Sequence, residues 1–185
     1  CNFHFATNQN SKSAFIKAFC NELVLRKSEY ISEEIQSIYF GGGTPTVLEV
    51  SELDMILQVV YKHYKVSDTP EITLEANPDD LDLEKIKRLA NTKINRLSIG
   101  IQSFHESDLT SMNRAHNAIE AKKCLEIATT YFDNITIDLM FGMPTMSIEQ
   151  WRQNLQTAFG FGIKHLSCYA LTVEPKTALE HFINK

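Results

Sequence analysis

Apolar residues recur along the chain with two alternating periods, which predicts helices that alternate with strands. The spacing i, i+3, i+4, i+7 is typical of an amphipathic helix. Five segments follow it, beginning at Phe15, Leu53, Leu83, Ile119 and Ile148. Strand-like runs occupy 35–40, 71–76, 96–102, 134–140 and 164–171. Because strands joined through helices run parallel, we predict one α/β layer or barrel, a single domain over residues 1–185.

The predicted strands alternate polar and apolar side chains, whereas parallel strands buried on both faces normally read as continuous aliphatic runs. Ile72 and Leu74 share one face of their strand, and Glu75 lies on the other. Gln102 and Asp138 occupy similar polar positions near the ends of two later strands. If the apolar face packs on the helices, these polar residues point into a barrel or cleft. The alternative is an antiparallel sheet with one wet face, or strand ends that reach solvent.

Three consecutive glycines follow the first predicted strand, in YFGGGTPT at 39–46. The whole chain contains only 7 glycines. A glycine run lets the backbone approach a ligand closely and exposes N–H groups that can bind a carboxylate or phosphate. A loop that crosses close to a neighbouring strand would also favour glycine, so the run alone leaves both interpretations open. It matches neither the phosphate loop nor G-x-G-x-x-G.

Several side chains allow a structural interpretation beside a functional one. His4 and His116 could be metal ligands, but a lone histidine is more often a satisfied or solvent-facing residue. Arg114 is either a surface charge at a helix start or a bidentate partner for a ligand carboxylate. Arg96 could be the internal counter-ion of a strand glutamate. Tyr39 is expected in the core.

Composition narrows the partners and the compartment. A formal net charge of -5 over 185 residues argues against nucleic acid as a partner, because counterion-release binding needs clustered Lys and Arg. No apolar stretch approaches the ~20 residues that span a bilayer, and no signal-peptide pattern is present. The 4 cysteines form no C-x-x-C pair, which is typical of a reducing compartment. We therefore expect a cytoplasmic protein.

Five motifs, taken in order, resemble the oxygen-independent coproporphyrinogen III oxidase family of radical S-adenosylmethionine proteins. They are YFGGGTPT at 39–46, LEANPDD at 74–80, NRLSIGIQSF at 95–104, MNRAH at 112–116 and IDLMFGMP at 137–144. The resemblance extends over the whole chain. Cys1-Asn2-Phe3 is similar to the third cysteine of the family's C-x-x-x-C-x-x-C motif and the residues after it. We therefore expect a fragment, truncated at both ends, that lacks the first two cysteines and the first strand.

The resemblance implies a partial (β/α)6 TIM-like barrel with a [4Fe-4S] cluster and S-adenosylmethionine at its mouth. Cys1 would be a cluster ligand. The residues that match family positions around S-adenosylmethionine are Gly42, Gly43, Thr44, Glu75, Gln102, Arg114, Asp138 and Ala170. Because the cluster requires three thiolates, we expect this fragment alone to hold no intact cluster and to be inactive. With the first strand lacking, we also expect an exposed apolar edge through which the chain can self-associate.

Position 3 bears on which branch of the family the chain resembles. Oxidases carry a fourth cysteine two positions after the third, and Phe3 stands there in this chain. The resemblance is therefore closer to the HemW-type branch, whose members bind haem and are regarded as haem chaperones. The alternative is a genuine coproporphyrinogen III dehydrogenase, which converts propionates to vinyl groups by radical chemistry. Either reading implies a porphyrinogen or haem as partner, with an electron donor or a haem-recipient protein.

Overall fold

The computed structural model describes residues 9–144, 146–173, 175 and 180–181. In this part of the chain, helices and strands alternate as the hydrophobic periods predict. The helices are α1 (Lys12–Arg26), α2 (Val50–His63), α3 (Leu83–Ala90), α4 (Glu106–Ser111), α5 (Ala118–Tyr131) and α6 (Ile148–Gly160). The strands are β1 (Glu34–Phe40), β2 (Lys65–Ala76), β3 (Arg96–Gln102), β4 (Ile135–Phe141) and β5 (His165–Ala170).

The described strands form one sheet whose spatial order follows the sequence, β1-β2-β3-β4-β5. Every neighbouring pair is parallel, and each connection carries at least one helix. This arrangement is a partial α/β barrel, so the predicted fold class is confirmed. The antiparallel alternative is wrong. No helix in the described ranges is both long enough and apolar enough to cross a membrane.

The core lies between the apolar face of the sheet and the helices that cover it. Ile72, Leu74 and Leu97 are at most 1% exposed, as the alternation in their strands predicts. They pack in one cluster with Leu53 of α2 and Leu125 of α5. Burying each such side chain stabilises the fold by about 1.5–3 kcal/mol. The opposite face of the strands is therefore left for polar residues.

Two helices bury only part of the face that the apolar spacing predicts. Leu125 of α5 is fully buried, and Trp151 and Leu155 of α6 pack against the core, as the spacing predicts. Ile119 in α5 and Ile148 in α6 are 79% and 81% exposed. In α6 the fully buried residues are Asn154 and Ala158. The side chain of Asn154 accepts a hydrogen bond from the backbone N–H of Phe104, at 2.8 Å. This polar contact with the segment after β3 helps to set the face that α6 turns inward, and apolar spacing cannot detect it.

Candidate functional site

The polar ends of β2, β3 and β4 surround an open cavity at the carboxyl end of the sheet. Its volume is about 190 Å³. In α/β barrels this end of the sheet is where active sites lie. The cavity lining includes five residues singled out in the sequence, namely Gly43, Thr44, Glu75, Gln102 and Asp138. The structure thus brings together the three strand-end residues that alternation predicts inside.

The glycine run forms the wall of the cavity next to β1. Gly42 and Gly43 have φ angles of 82° and 84°, in the left-handed region that favours glycine. At Gly41 the limit is space, because an added Cβ would lie 2.6 Å from the Tyr39 ring and 3.0 Å from the Glu75 carboxyl carbon. The crowding at Gly41 confirms the interpretation that the loop lies close to a neighbouring strand, whereas contact of the run with a ligand stays a prediction.

Both carboxylate oxygens of Glu75 are held by neighbours. The Tyr39 hydroxyl donates to Oε1 at 2.8 Å, and the backbone N–H of Gly42 donates to Oε2 at 3.1 Å. The prediction that Tyr39 lies in the core is wrong, since its side chain is on the cavity face and the residue is 56% exposed. The phenol turns this way because a tyrosine hydroxyl needs a polar partner. Burial and the bond to Glu75 raise the pKa of Tyr39.

Asp138 supplies a second carboxylate to the same cavity. Burial raises the pKa of Asp138, the hydrogen bond from Ser167 opposes that rise, and the nearby charge of Glu75 adds to it. Ser167 is the register partner of Asp138 on β5. With two acids at its wall, the cavity favours a ligand that presents a positive charge or hydroxyl donors.

Gln102 enters the cavity from an irregular end of β3. Its φ angle is 66°, and the β3–β4 register shifts between Ile99 and Gln102. Such irregularities re-aim a side chain at the end of a strand. Gly100 lies just below, where an added Cβ would be 3.0 Å from the Gln102 amide nitrogen. A larger residue at position 100 would therefore displace Gln102.

Arg114 reaches the rim of the cavity from the connection between α4 and α5. Its Nη2 donates to Asn77 Oδ1 at 2.7 Å and to the carbonyl oxygen of Gly100 at 3.3 Å. Burial lowers the pKa of Arg114. Its Nε is buried and has no hydrogen-bond partner within the described ranges. This environment favours the site interpretation of Arg114 over that of a surface charge.

Other candidates lie apart from the cavity or beyond the described ranges. Ala170 is exposed at the end of β5, pairs with Phe141 and does not line the cavity. Cys1 and His4 lie outside the described residues. His116 is 2% exposed, and its Nε2 contacts the carbonyl oxygen of Ile101 at 3.1 Å. Its Nδ1 is buried without a hydrogen-bond partner among the described residues and lies 3.6 Å from Asp79 Oδ1, so His116 is a core histidine that is only partly satisfied. Among the described residues no cluster of histidine, cysteine or acidic side chains could hold a metal ion.

Three contributors to the site were not predicted as site residues from the sequence. Asn77 directly follows β2 and holds Arg114. Tyr39 holds Glu75, and Ser167 holds Asp138. Asn77 could have been found, because polar residues that follow a parallel strand lie at its carboxyl end. The other two depend on which residues face each other across neighbouring strands, and a sequence does not give that register.

The family model for the radical SAM superfamily matches residues 21–158. The chain belongs to the radical SAM superfamily. Membership implies a [4Fe-4S] cluster and S-adenosylmethionine (SAM) as cofactors. A radical SAM assignment also agrees with a polar cavity at the carboxyl end of a partial barrel.

Two curated relatives show which proteins of the superfamily this chain is similar to in sequence. The chain is 34% identical to heme chaperone HemW of Bacillus subtilis, over 92% of this chain and 46% of the relative. It is 31% identical to heme chaperone HemW of Escherichia coli, over 95% of this chain and 47% of the relative. The chain thus spans less than half the length of either relative.

A solved radical SAM structure supports the fold. The coproporphyrinogen III oxidase HemN of Escherichia coli superposes with a TM-score of 0.84. The match covers 95% of this chain and 41% of that chain, at 24% sequence identity. At this identity the likeness supports the partial barrel alone.

Proposed function

We propose that the cavity binds SAM and that this chain is the cofactor-binding part of a radical SAM core. The observation that carries the proposal is the convergence of Glu75, Gln102 and Asp138 beside the glycine loop at the mouth of the barrel. SAM carries a sulfonium, an ammonium group, a carboxylate and two ribose hydroxyls. Acids suit its cations and hydroxyls, while backbone N–H groups and arginine suit its carboxylate.

The residues present fit this molecule in charge and in hydrogen-bonding capacity. Glu75 and Asp138 give the cavity two acids. Gly42 and Gly43 have positive φ angles. The loop can therefore turn sharply at the cavity wall, where no side chain separates its backbone from a ligand. The Nε of Arg114 is buried without a hydrogen-bond partner within the described ranges, so a ligand acceptor that reached it would supply the missing bond. We propose that Gly42, Gly43, Thr44, Glu75, Gln102, Arg114 and Asp138 bind SAM, with Ala170 as an outer contact and Cys1 as a cluster ligand.

The cofactors and the chain's own residues have separate roles in this proposal. When bound, the cluster and SAM supply one-electron cleavage of a carbon–sulfur bond, which the side chains of a protein cannot perform. The chain's residues bind and orient the cofactor. The acids stabilise its cationic end, and the glycine loop lets the backbone lie close to it.

Titration calorimetry with SAM tests the proposal. We expect Glu75→Gln and Asp138→Asn each to weaken binding by about tenfold or more, the effect of losing one hydrogen bond to a charged group. Glu84→Gln is the matched control, because the Glu84 side chain is 76% exposed on α3 and pairs with Lys87. Equal affinity in all three variants and the unaltered chain would contradict the assigned site.

We further propose that the full-length protein is a haem chaperone. Two observations support it: curated relatives named heme chaperone HemW match at 31–36% identity, and Phe3 stands where oxidases carry a fourth cysteine. Its partners would be haem and a haem-recipient protein. The cysteine pattern supports a cytoplasmic location, and the largely exposed β1 supports self-association along that edge.

Coproporphyrinogen III dehydrogenase activity is the second candidate, because the five sequence motifs resemble the oxidase family as a whole. That enzyme would need porphyrinogen and an electron donor as partners. The two functions separate in one pair of assays on the full-length protein. We expect haemin to bind with a change in its Soret absorbance, and coproporphyrinogen III to remain unchanged with SAM and a reductant. Formation of vinyl groups in the second assay, absent when SAM is omitted, would favour the oxidase.

A further inference from the structure

We infer that Tyr39 is a positioning residue of the SAM site, which fixes the Glu75 carboxylate in the orientation that meets the ligand. Such a role rests on the proposed function, because the ligand in question is SAM. Tyr39 belongs to β1, Glu75 to β2, and Gly42 to the loop after β1. A strand side chain and the backbone of the loop after that strand therefore converge on one carboxylate of the neighbouring strand.

The two hydrogen bonds to Glu75 divide its oxygens. Tyr39 donates to Oε1 at 2.8 Å and the Gly42 N–H donates to Oε2 at 3.1 Å. Hydrogen bonds to an ionised acceptor are roughly twice as strong as neutral ones. With one donor on each oxygen, rotation of the carboxylate would break both bonds. A carboxylate has about four lone-pair sites, so it keeps capacity to accept from a ligand.

The Tyr39 ring is itself fixed by the glycine loop. An added Cβ at Gly41 would lie 2.6 Å from Cε1 and 2.9 Å from Cδ1 of Tyr39. The ring therefore lies directly against the Gly41 backbone. Because position 41 has no side chain, the Tyr39 ring can pack there, and the position of the ring determines where the hydroxyl points. Tyr39 and Gly41 form a matched pair whose shared neighbour is Glu75.

The Tyr39 hydroxyl stays protonated and can therefore donate its hydrogen bond to Glu75 at neutral pH. Burial and the bond to Glu75 raise the pKa of Tyr39, so the proton stays on its oxygen at neutral pH. Tyr39 is also 56% exposed, so its ring contributes little to the core. Removing the hydroxyl alone is thus expected to change the site and leave the fold intact.

The test compares SAM affinity in the unaltered chain, Tyr39→Phe, Glu75→Gln and the double variant. We expect Tyr39→Phe to weaken binding by up to about tenfold, because a Glu75 carboxylate that has lost this bond must be oriented again when SAM binds. In the Glu75→Gln background the same change should add little, because Tyr39 acts through Glu75. Tyr131→Phe is the matched control, a 40% exposed tyrosine at the end of α5, and it should bind SAM like the unaltered chain.

An ultraviolet difference titration of the tyrosines measures the contact without SAM. One tyrosine should ionise at lower pH in Glu75→Gln than in the unaltered chain, and that transition should be absent from Tyr39→Phe. Binding by Tyr39→Phe equal to that of the unaltered chain, or an equal loss in the Glu75→Gln background, would overturn the inference. Failure of the unaltered chain to bind SAM would instead overturn the proposed function, and the positioning role with it.

Discussion

At the scale of one residue, the buried carboxylate of Asp138 lowers the stability of the fold but suits the cavity for binding a cation. Burial raises the pKa of Asp138, so its ionised form is disfavoured in the folded state. The ionised form is nevertheless the one that attracts a cation. Perturbed acids of this kind gather at functional sites because binding, and not folding, requires them.

We predict that Asp138→Asn raises the melting temperature near neutral pH while it weakens SAM binding. The folded-state pKa is above the ordinary value of 3.8, so the folded state holds this proton more tightly than the unfolded chain does. The cost of ionisation is therefore fully present above the raised pKa and is lost as the pH falls toward 3.8. Melting curves measured over this pH range should show that the rise in melting temperature caused by Asp138→Asn becomes smaller as the pH falls.

Asp68→Asn provides the control for that melting series, because Asp68 is exposed on β2. It should shift the melting temperature little at any pH. A gain in Asp138→Asn that persists unchanged to the lowest pH would mean that the amide stabilises the fold by some route other than relief of the buried charge.

The sequence predicts some site residues and misses others for a physical reason. Side chains alternate strictly along a strand, so Ile72 and Leu74 in the core place Glu75 on the opposite face. Tyr39 and Phe40 are adjacent aromatic residues, and alternation cannot tell which of them turns inward. Phe40 packs on the core and Tyr39 faces the cavity. Only the pairing of β1 with β2 decides this.

At the scale of elements, strand ends were better predicted than strand starts. The end of β2 at Ala76 agrees with the sequence, but the strand begins at Lys65 and not at residue 71. The register between β1 and β2 shifts between Ile35 and Ser37, and Pro70 lies within the stretch that this shift skips. Proline in a strand normally argues against regular pairing. An irregularity that accommodates it has no signature in hydrophobic periodicity.

The acidic segment after β2 has more inward contacts than its composition suggests. Thr46, at the end of the glycine loop, donates to Asp80 Oδ2 at 2.7 Å and is 1% exposed. Lys85 of α3 donates to the carbonyl oxygen of Thr46. Asp82 caps α3 by accepting from the Lys85 N–H at 2.7 Å, as expected at a helix start. The glycine loop is thus anchored at one end while its left-handed glycines remain at the cavity.

At the scale of the whole molecule, the two ends of the barrel carry different kinds of polar side chains. The acids and amides of the cavity lie at the carboxyl ends of the strands. Arg96 and His165 lie at the strand starts, on β3 and β5. Arg96 Nη2 is 2.9 Å from His165 Nδ1, and arginine can only donate, so this nitrogen of His165 accepts. The contact spans β4 and ties β3 to β5 across the barrel interior.

The family motifs predicted the barrel, but not this tie. Arg96 was expected to be a counter-ion for a strand glutamate, and its Nε lies 3.8 Å from Glu71 Oε2. It also donates to Thr73 Oγ1 at 3.1 Å. His165 is 69 positions away in sequence, and only the curvature of the sheet brings it within reach. Local patterns carry no information at that separation.

We predict that Arg96→Met lowers the free energy of unfolding by about 2 kcal/mol, because it removes the cation that donates to the buried Thr73 hydroxyl and leaves that hydroxyl only its 3.5 Å contact with Glu71. Arg152→Met, at a 61% exposed side chain on α6, should cost less than about 0.5 kcal/mol. Urea unfolding measures both. SAM affinity of the folded Arg96→Met variant should equal that of the unaltered chain, since Arg96 lies at the start of its strand and the cavity residues lie at the opposite strand ends. A large loss of affinity in this variant, measured where it is fully folded, would show that the base of the barrel also shapes the cavity.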